Sequence, residues 1–382
     1  MEYASATAGI GRPEFRRVVA ISDTHFGEEG SRLSEPRNVE AFLGELEALG
    51  EIDLLVLLGD IWDLWRTGLR EAHGAGRHFF RRLAEWRGAR ELALVAGNHD
   101  NHLALAYMEE SLRRKMKWYY LPSARRGVIR QVAEPGPGRI PMTGFPLQCV
   151  LEIEGLPLRL AYPFLALRAG GRDVLLTHGH HLDFFSRSFW WAKTAWLARC
   201  VLGTSRGISL SDIDRLNRPF FELLTNTAVV PEIRRLEYRA YRVLRLLARL
   251  LRFHTSEGGS PRRHTTVGEN VREALELLAG LLPGYLPDVF AFGHTHRAGL
   301  EYAPLGGRKV LLANTGCWLD GEEGDTPGTY LVLDEKVRLR CLSEWEVEAS
   351  PEGDFRRAGG RIEPGSGDVT RRGNGVRERG FG

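Results

Sequence analysis

The run GHTH at residues 293–296 directly follows a short apolar stretch, VFAF, at residues 289–292. An apolar stretch of this length, bounded by a turn-forming glycine, predicts a buried strand. The two histidines, His294 and His296, then lie in the loop that leaves the strand. Side chains on a strand follow a regular alternation between the two faces of the sheet. In a loop the two rings are not bound to this alternation and are free to converge. The run therefore predicts two imidazoles that meet in one polar cluster.

Four other polar runs each come directly after an apolar, strand-like segment. They are SDTH at 22–25, GDIWD at 59–63, GNHD at 97–100 and THGHH at 177–181. Helical spacing of apolar residues at 37–49 and 78–86 separates the first three strands. Strand, polar loop and helix in repetition indicate βαβ units around a mainly parallel sheet. Ligands of such sheets gather at the carboxyl ends of the strands, which is where these runs lie.

Taken in order, the five runs resemble the motifs of the calcineurin-like metallophosphoesterases, which are D-x-H, G-D, G-N-H-D/E, H and G-H-x-H. The resemblance extends over roughly residues 17–340, with a long interruption in the middle. It implies an α/β fold in which a β-sandwich is flanked by helices in an αββα arrangement and carries a helical insert.

The resemblance also implies a site for two divalent metal ions. The ligands that it assigns are Asp23, His25 and His296 for one ion, Asn98, His178 and His294 for the other, and Asp60 as the bridge between them. Two ions about 3.5–4 Å apart acidify a bridging water and clamp a phosphoryl group. The implied reaction is hydrolysis of a phosphoester by in-line attack of the hydroxide that bridges the ions. Imidazole and carboxylate ligands without thiolate suit Mn, Fe, Zn, Ni or Co, and the family favours manganese.

His99 directly follows a predicted ligand, and the resemblance places it beside the ions. There it would stabilise the transition state or protonate the leaving oxygen. We predict that Asp100 orients His99, as carboxylates do for many catalytic histidines. The flanking residues Thr177, His180 and His181 receive no role from the sequence.

The run LLGDIWDLWR at 57–66 resembles a sub-branch of the family that includes UDP-2,3-diacylglucosamine pyrophosphatase. Members of that sub-branch commonly have GNRD and HGD, where this chain has GNHD and HGH. We therefore predict a relative that hydrolyses another phosphodiester or a pyrophosphate, on a lipid-linked or nucleotide-sugar substrate. Two other hypotheses stay open: a nuclease-type phosphodiesterase, and a metal-free interaction scaffold that keeps only the fold.

The composition is that of a globular protein, with 382 residues, 43% of them hydrophobic and 26% charged. A net charge of +3 provides no strong field for nucleic acid, which is not a favoured partner. The four cysteines form no C-x-x-C spacing and predict reduced thiols. Neither a signal peptide nor a run of roughly 18 apolar residues is visible, so we expect a cytoplasmic protein.

We divide the chain into four parts. A phosphoesterase domain is predicted at 17–182 and 283–348, with an N-terminal extension at 1–16, a helical insert at 183–282 and a disordered tail at 349–382. The insert is rich in aromatic residues and leucine, and one of its helices has an arginine-rich face. These features predict either a lid over the site or a peripheral contact with the inner membrane face through acyl chains and lipid phosphates. An ordinary core with a solvated arginine face explains them equally well. The tail has too few apolar residues to order itself.

Overall fold

The computed structural model describes residues 13–102, 158–162, 164–185, 286–305, 307–320, 327–342, 344–349 and 355–358. The predicted helical insert at 183–282 lies outside these ranges except for its first three residues. No helix within the described ranges is long and apolar enough to cross a membrane. Contact between the insert and a membrane therefore stays a prediction.

Strands dominate the described part of the chain. They are β1 (Glu14–Phe15), β2 (Val18–Ile21), β3 (Ile52–Leu57), β4 (Ala89–Val95), β5 (Leu158–Ala161), β6 (Phe164–Ala169), β7 (Arg172–Thr177), β8 (Val289–Phe292), β9 (Gly299–Leu305), β10 (Arg308–Asn314), β11 (Thr329–Leu333), β12 (Val337–Cys341), β13 (Trp345–Ala349) and β14 (Phe355–Ala358). The α-helices are α1 (Pro36–Leu49) and α2 (Leu69–Trp86). Short 3-10 helices lie at Arg32–Ser34 and His180–Phe185.

The strands form two mixed sheets. The first has the order β14-β13-β12-β11-β2-β3-β4-β5, and its strands β2 to β5 are mutually parallel. The second has the order β1-β6-β7-β8-β10-β9, in which β7, β8 and β10 run parallel. The first sheet thus has a parallel half that ends at β5 and an antiparallel half, whereas the second has a parallel centre with an antiparallel pairing on each side.

Strand β2 shows how the layers are held together. Val18 and Ala20 belong to the apolar core that lies between the two sheets, whereas Val19 and Ile21 belong to the core shared with α1 and α2. A strand that is buried on both faces must be apolar at every position, which is why its sequence does not alternate. The predicted fold class, an α/β protein built on a β-sandwich with flanking helices, is confirmed.

Helix α2 begins at Leu69, well before the stretch 78–86 that the periodicity indicates. Gly74 and Gly76 lie in this first half, and glycine is a poor helix former. Gly76 is needed there because an added Cβ would lie 3.0 Å from the ring of Phe26. Packing against the first sheet therefore overrides the weak local propensity.

Two strands lie outside the limits that the sequence predicts for the phosphoesterase domain. Strand β1 falls within the predicted extension, where it pairs with β6, and β14 falls within the predicted disordered tail, where it pairs with β13. The ring of Phe355 stacks on that of Tyr302 with 5.6 Å between centroids, and both rings pack against the inter-sheet core. Main-chain pairing at a sheet edge needs few apolar side chains, so composition alone does not reveal it.

The attachment of α1 to the first sheet gives a test of this packing. Phe42 is fully buried and makes edge contacts with Trp318 and Tyr330. Phe42→Ala should lower the free energy of unfolding by about 3–5 kcal/mol, because it leaves a cavity in the core. Chemical denaturation followed by circular dichroism measures this. The control is Leu69→Ala, which removes an exposed side chain and should change the stability by about 0.5 kcal/mol or less.

Candidate metal centre

The polar runs meet because the parallel strands of both sheets end at the same edge of the sandwich. Asp23 and Asp60 follow β2 and β3 in the first sheet, and the backbone N–H of Asp23 donates to the carbonyl of Gly59 at 3.0 Å. His178 and the GHTH run follow β7 and β8 in the second sheet, and Gly293 donates to the carbonyl of His178 at 2.9 Å. Backbone hydrogen bonds thus join the loops of each sheet to one another, and the side chains of the two sets of loops meet between them.

Three of the predicted ligands form a first donor group. Single ligand atoms of Asp23, His25 and His296 all lie within 4.8 Å of one another. His296 Nε2 lies 3.3 Å from Asp23 Oδ1 and 3.2 Å from His25 Nε2. All three side chains are buried. The group combines two residues of the first sheet with one residue of the second.

A second donor group has the same mixed origin. Ligand atoms of Asp60, His178 and His294 also lie within 4.8 Å of one another. His178 Nε2 is 3.1 Å from Asp60 Oδ2 and 3.1 Å from Asn98 Oδ1, so the amide oxygen of Asn98 joins the group. The structure therefore brings together all four residues that the resemblance assigns to this part of the site.

Asp60 stands between the two groups. Its Oδ2 atom lies 3.1 Å from His178 Nε2 in the second group and 3.9 Å from His25 Nε2 in the first. A carboxylate in this position is suited to bridge two cations. The structure thus gathers all seven predicted ligands, while their binding of metal stays a prediction.

The donor set fits divalent cations. Asp23 Oδ1 is buried and accepts no hydrogen bond from the described residues. A buried carboxylate oxygen without a donor is costly unless a positive charge compensates it. The ring nitrogens of His25 and His296 face the same region, and imidazole with carboxylate is a donor set that transition metals favour.

The carboxylates of the centre are ionised at neutral pH. Burial raises the pKa of Asp23, but the neighbouring His178 and His296 outweigh burial and lower that pKa to about 2. Burial likewise raises the pKa of Asp60, and His178 and His99 hold it well below its usual range. The site therefore keeps two buried negative charges.

The pKa values of His25 and His178 shift in opposite directions in this buried, negatively charged site. Burial lowers the pKa of His25 to about 4, so its ring is neutral and has a nitrogen lone pair to offer. Burial also lowers the pKa of His178, but Asp60 and Asp23 outweigh it and raise that pKa to about 10. Without a metal ion His178 thus carries a proton at neutral pH, and a bound cation would take the place of that positive charge.

The loops that carry the donors adopt an uncommon backbone conformation. Five of the seven predicted ligands have positive φ, namely Asp23 at 54°, His25 at 46°, Asp60 at 51°, His294 at 69° and His296 at 62°. This left-handed region is sparsely populated except by glycine, with asparagine, aspartate and histidine next most tolerant. Strain of this kind persists only where the surrounding structure enforces it, and it is concentrated at functional sites.

Three motif glycines leave room for donor side chains. A Cβ on Gly59 would lie 2.6 Å from the ring of His178, and one on Gly97 would lie 2.5 Å from the backbone nitrogen of Asp60. A Cβ on Gly293 would lie 2.5 Å from Asp23 Oδ2. In each G-D, G-N or G-H pair, a donor residue directly follows a glycine. That glycine leaves space for a different donor residue.

The predicted partner of His99 is wrong. His99 Nδ1 donates to Asp63 Oδ1 at 2.9 Å, not to Asp100, and the other oxygen of Asp63 lies 3.3 Å from His25 Nδ1. Trp65 stacks on the imidazole of His99 with 4.1 Å between ring centroids. Asp63 was already visible in the run GDIWD, but nothing in the sequence shows which histidine it contacts. One carboxylate thus orients both a predicted ligand and the predicted catalytic histidine.

Asp100 has a structural task instead. Its two oxygens accept the backbone N–H groups of Gly97 and Ile61, each at 2.7 Å. These bonds join the loop after β4 to the loop after β3. Burial and the nearby Asp60 raise the pKa of Asp100 to about 6. Asp100 therefore holds the loops that present Asn98 and Asp60.

The residues without a predicted role lie on the side of the second donor group. Thr177, His180 and His181 are buried, and the ring of His180 lies 5.6 Å from that of His178 and 6.5 Å from that of His294. Tyr162 stacks on His180 with 6.4 Å between centroids. These side chains surround the second group without belonging to it.

The comparison with known families agrees with this geometry. The profile described as "Calcineurin-like phosphoesterase" matches residues 16–298, which include every donor described above. The chain belongs to the calcineurin-like phosphoesterase family. Membership in this family points to metal-dependent hydrolysis of phosphoesters.

Other comparisons add little about this phosphoesterase. No curated protein matches the chain. A solved structure from Streptococcus pneumoniae TIGR4, a conserved uncharacterized protein described as a predicted phosphoesterase, is similar at 11% sequence identity. That match covers 90% of this chain and 98% of the other, with a TM-score of 0.27.

The glycine contacts of this phosphoesterase give a second test. Gly59→Ala should displace His178, because Gly59 has φ of +82° and its new Cβ would overlap the ring. We expect the second donor group to lose most of its affinity for metal. Elemental analysis after dialysis against Mn²⁺ measures the ions that remain bound.

The matched control for this test is Gly44→Ala in α1, where an added Cβ meets nothing within 4 Å. It should retain the wild-type metal content and gain stability of up to about 1 kcal/mol. Full metal content in Gly59→Ala would show that the contact with His178 is not essential to binding.

Proposed function

We propose that this chain is a two-metal phosphoesterase that hydrolyses a phosphodiester or pyrophosphate bond. The observation that carries the proposal is the convergence of seven oxygen and nitrogen donors into two groups with Asp60 between them. Asp23, His25 and His296 would hold one ion, and Asn98, His178 and His294 the other. When bound, such ions stabilise charge on the phosphoryl oxygens and acidify water.

The side chains around the donors supply the remaining chemistry. Asp63 accepts the Nδ1 proton of His99 at 2.9 Å, so the Nε2 atom of the ring is the one that faces the donors, 4.0 Å from Asp60 Oδ2. When both of its ring nitrogens carry a proton, His99 can give its Nε2 proton to the leaving oxygen of a substrate or donate a hydrogen bond to the phosphoryl group.

The substrate class rests on sequence. The run at 57–66 supports a diester or pyrophosphate, and it is consistent with a lipid-linked or nucleotide-sugar substrate. Contact with a membrane surface and a cytoplasmic location belong to the same proposal. A nuclease-type activity is the alternative, and it predicts DNA cleavage that is lost in His99→Ala.

The proposal is tested by hydrolysis of bis-p-nitrophenyl phosphate and p-nitrophenyl phosphate by the purified full chain. With Mn²⁺ we expect faster cleavage of the diester, no cleavage with EDTA, and loss of activity in Asp60→Asn. Elemental analysis accompanies the assay. A wild-type protein that binds no metal and cleaves neither ester would contradict the proposal and support the scaffold hypothesis.

The pair Asp63 and His99 generates a further prediction. Asp63→Asn keeps the shape of the side chain but removes the charge of the carboxylate that accepts the hydrogen bond of His99 Nδ1. We expect kcat for the diester to fall about 10–100-fold at saturating Mn²⁺, with a much smaller change in KM. Steady-state kinetics over a range of Mn²⁺ concentrations separates this loss from weaker metal binding through His25.

Asp100→Asn is the contrasting variant, because Asp100 was predicted to orient His99 but holds two backbone N–H groups. Its amide can accept only one of them well, so the free energy of unfolding should fall by about 1–3 kcal/mol. The kcat per folded molecule should stay close to the wild-type value. A larger loss of kcat in Asp100→Asn than in Asp63→Asn would reverse the assignment of the two carboxylates.

A further inference from the structure

Two buried hydroxyl groups join the sheets directly behind the first donor group. Ser22 Oγ lies 2.6 Å from Thr315 Oγ1, and both residues are fully buried. Ser22 follows β2 and precedes Asp23 in the first sheet, whereas Thr315 follows the end of β10 in the second. The pair therefore connects the two sheets at the edge where the donors lie.

Backbone carbonyl groups complete this connection on both sides. Ser22 Oγ lies 3.2 Å from the carbonyl oxygen of Gly316, and Thr315 Oγ1 lies 3.2 Å from that of Phe292. Whichever hydroxyl donates to the other, the acceptor hydroxyl still has a carbonyl to receive its own proton. The hydroxyl of Thr329 in turn donates to the carbonyl of Thr315 at 2.7 Å. Thr315 is thus held between the ends of β2, β8 and β11.

The loop that carries His296 packs directly on this connection. A Cβ on Gly293 would lie 2.8 Å from Ser22 Cβ, so the loop approaches β2 as closely as a glycine allows. The N–H of His294 donates to Asp23 Oδ2 at 2.9 Å, and Asn314 donates to Thr295 Oγ1 at 2.5 Å. The separation of Asp23 from His296 therefore depends on how the ends of β2 and β10 are joined.

The second donor group is joined across the sheets in a different manner. There a donor residue makes the connection itself, because His178 Nδ1 donates to the carbonyl of Leu58 at 3.0 Å. Leu58 belongs to the loop after β3 in the first sheet, and His178 follows β7 in the second. Loosening the Ser22–Thr315 pair should consequently leave the second group intact.

We propose that the Ser22–Thr315 pair is a positioning device that sets the affinity of the first donor group for a divalent ion, independently of the second group. This inference rests on the proposed two-ion function. Partners that orient metal ligands from outside the ligand shell typically contribute about 10–100-fold to metal affinity. The Ser22–Thr315 pair would affect metal affinity by setting the distance between the two sheets, because neither hydroxyl belongs to a donor residue.

The test is titration of the metal-free full chain with Mn²⁺ by calorimetry, using Thr315→Val to remove one hydroxyl while keeping the shape. We expect one ion to bind as in the wild type and the other to bind about 10–100-fold more weakly. Thr315→Ser keeps the hydroxyl and should restore binding close to the wild-type affinity. Ser22→Ala should reproduce the selective loss, and the double variant should bind no more weakly than either single one, because both remove the same contact.

Thermal unfolding of each metal-free variant accompanies the titration, and Ser22→Ala decides the question if Thr315→Val does not fold. Wild-type affinity for both ions in the variants would overturn the inference. Equal weakening of both ions would also overturn it, because that result indicates general loosening of the sandwich. A wild-type chain that binds fewer than two ions would instead refute the two-ion function on which the inference rests.

Discussion

Cation binding by this chain depends on one geometric constraint, which is that strand ends of two different sheets meet at a common edge. The first and the second donor group each take residues from both sheets, so neither of these two groups is complete without the other sheet. The apolar core between the sheets holds them together, but hydrophobic contact is not directional. Directional hydrogen bonds at the edge, such as those of the Ser22–Thr315 pair and of His178 with Leu58, supply the finer alignment that ligand geometry needs.

The same edge concentrates charge in a buried place. Asp23, Asp60 and Asp63 are buried and ionised, and the nearby histidines lower the pKa of each carboxyl against the effect of burial. Buried charges are tolerated only when they are paired or bind metal. A site of this composition is therefore poised for cations. Until a cation binds, the protonated ring of His178 balances part of this negative charge.

Backbone strain belongs to the same arrangement. Donors with positive φ occur in the loops after β2, β3 and β8, and motif glycines line the spaces into which other donors fit. Such conformations are costly for residues with a side chain, and the hydrogen bonds that Asp60 and Asp100 accept from backbone N–H groups of these loops help to hold them. The donor residues adopt locally unfavourable backbone conformations, and the packing of the sandwich compensates for their energetic cost.

Much of this protein was determined by the sequence itself. Apolar segments followed by short polar runs predicted parallel strands whose polar ends share one edge of the sheet. The resemblance of those runs to the calcineurin-like motifs implied the sandwich and the seven residues that gather at the strand ends. The tertiary structure alone decided that Asp63 rather than Asp100 is the hydrogen-bond partner of His99. Asp100 adjoins His99 in the chain, whereas Asp63 lies 36 residues away, and only the path of the two loops brings Asp63 to the ring. It also decided that β1 and β14 pair at the ends of the domain and that α2 begins among glycines. The physical reason is the same throughout: a hydrogen bond or packing contact depends on distance in space, whereas a sequence pattern records only which residue types are available.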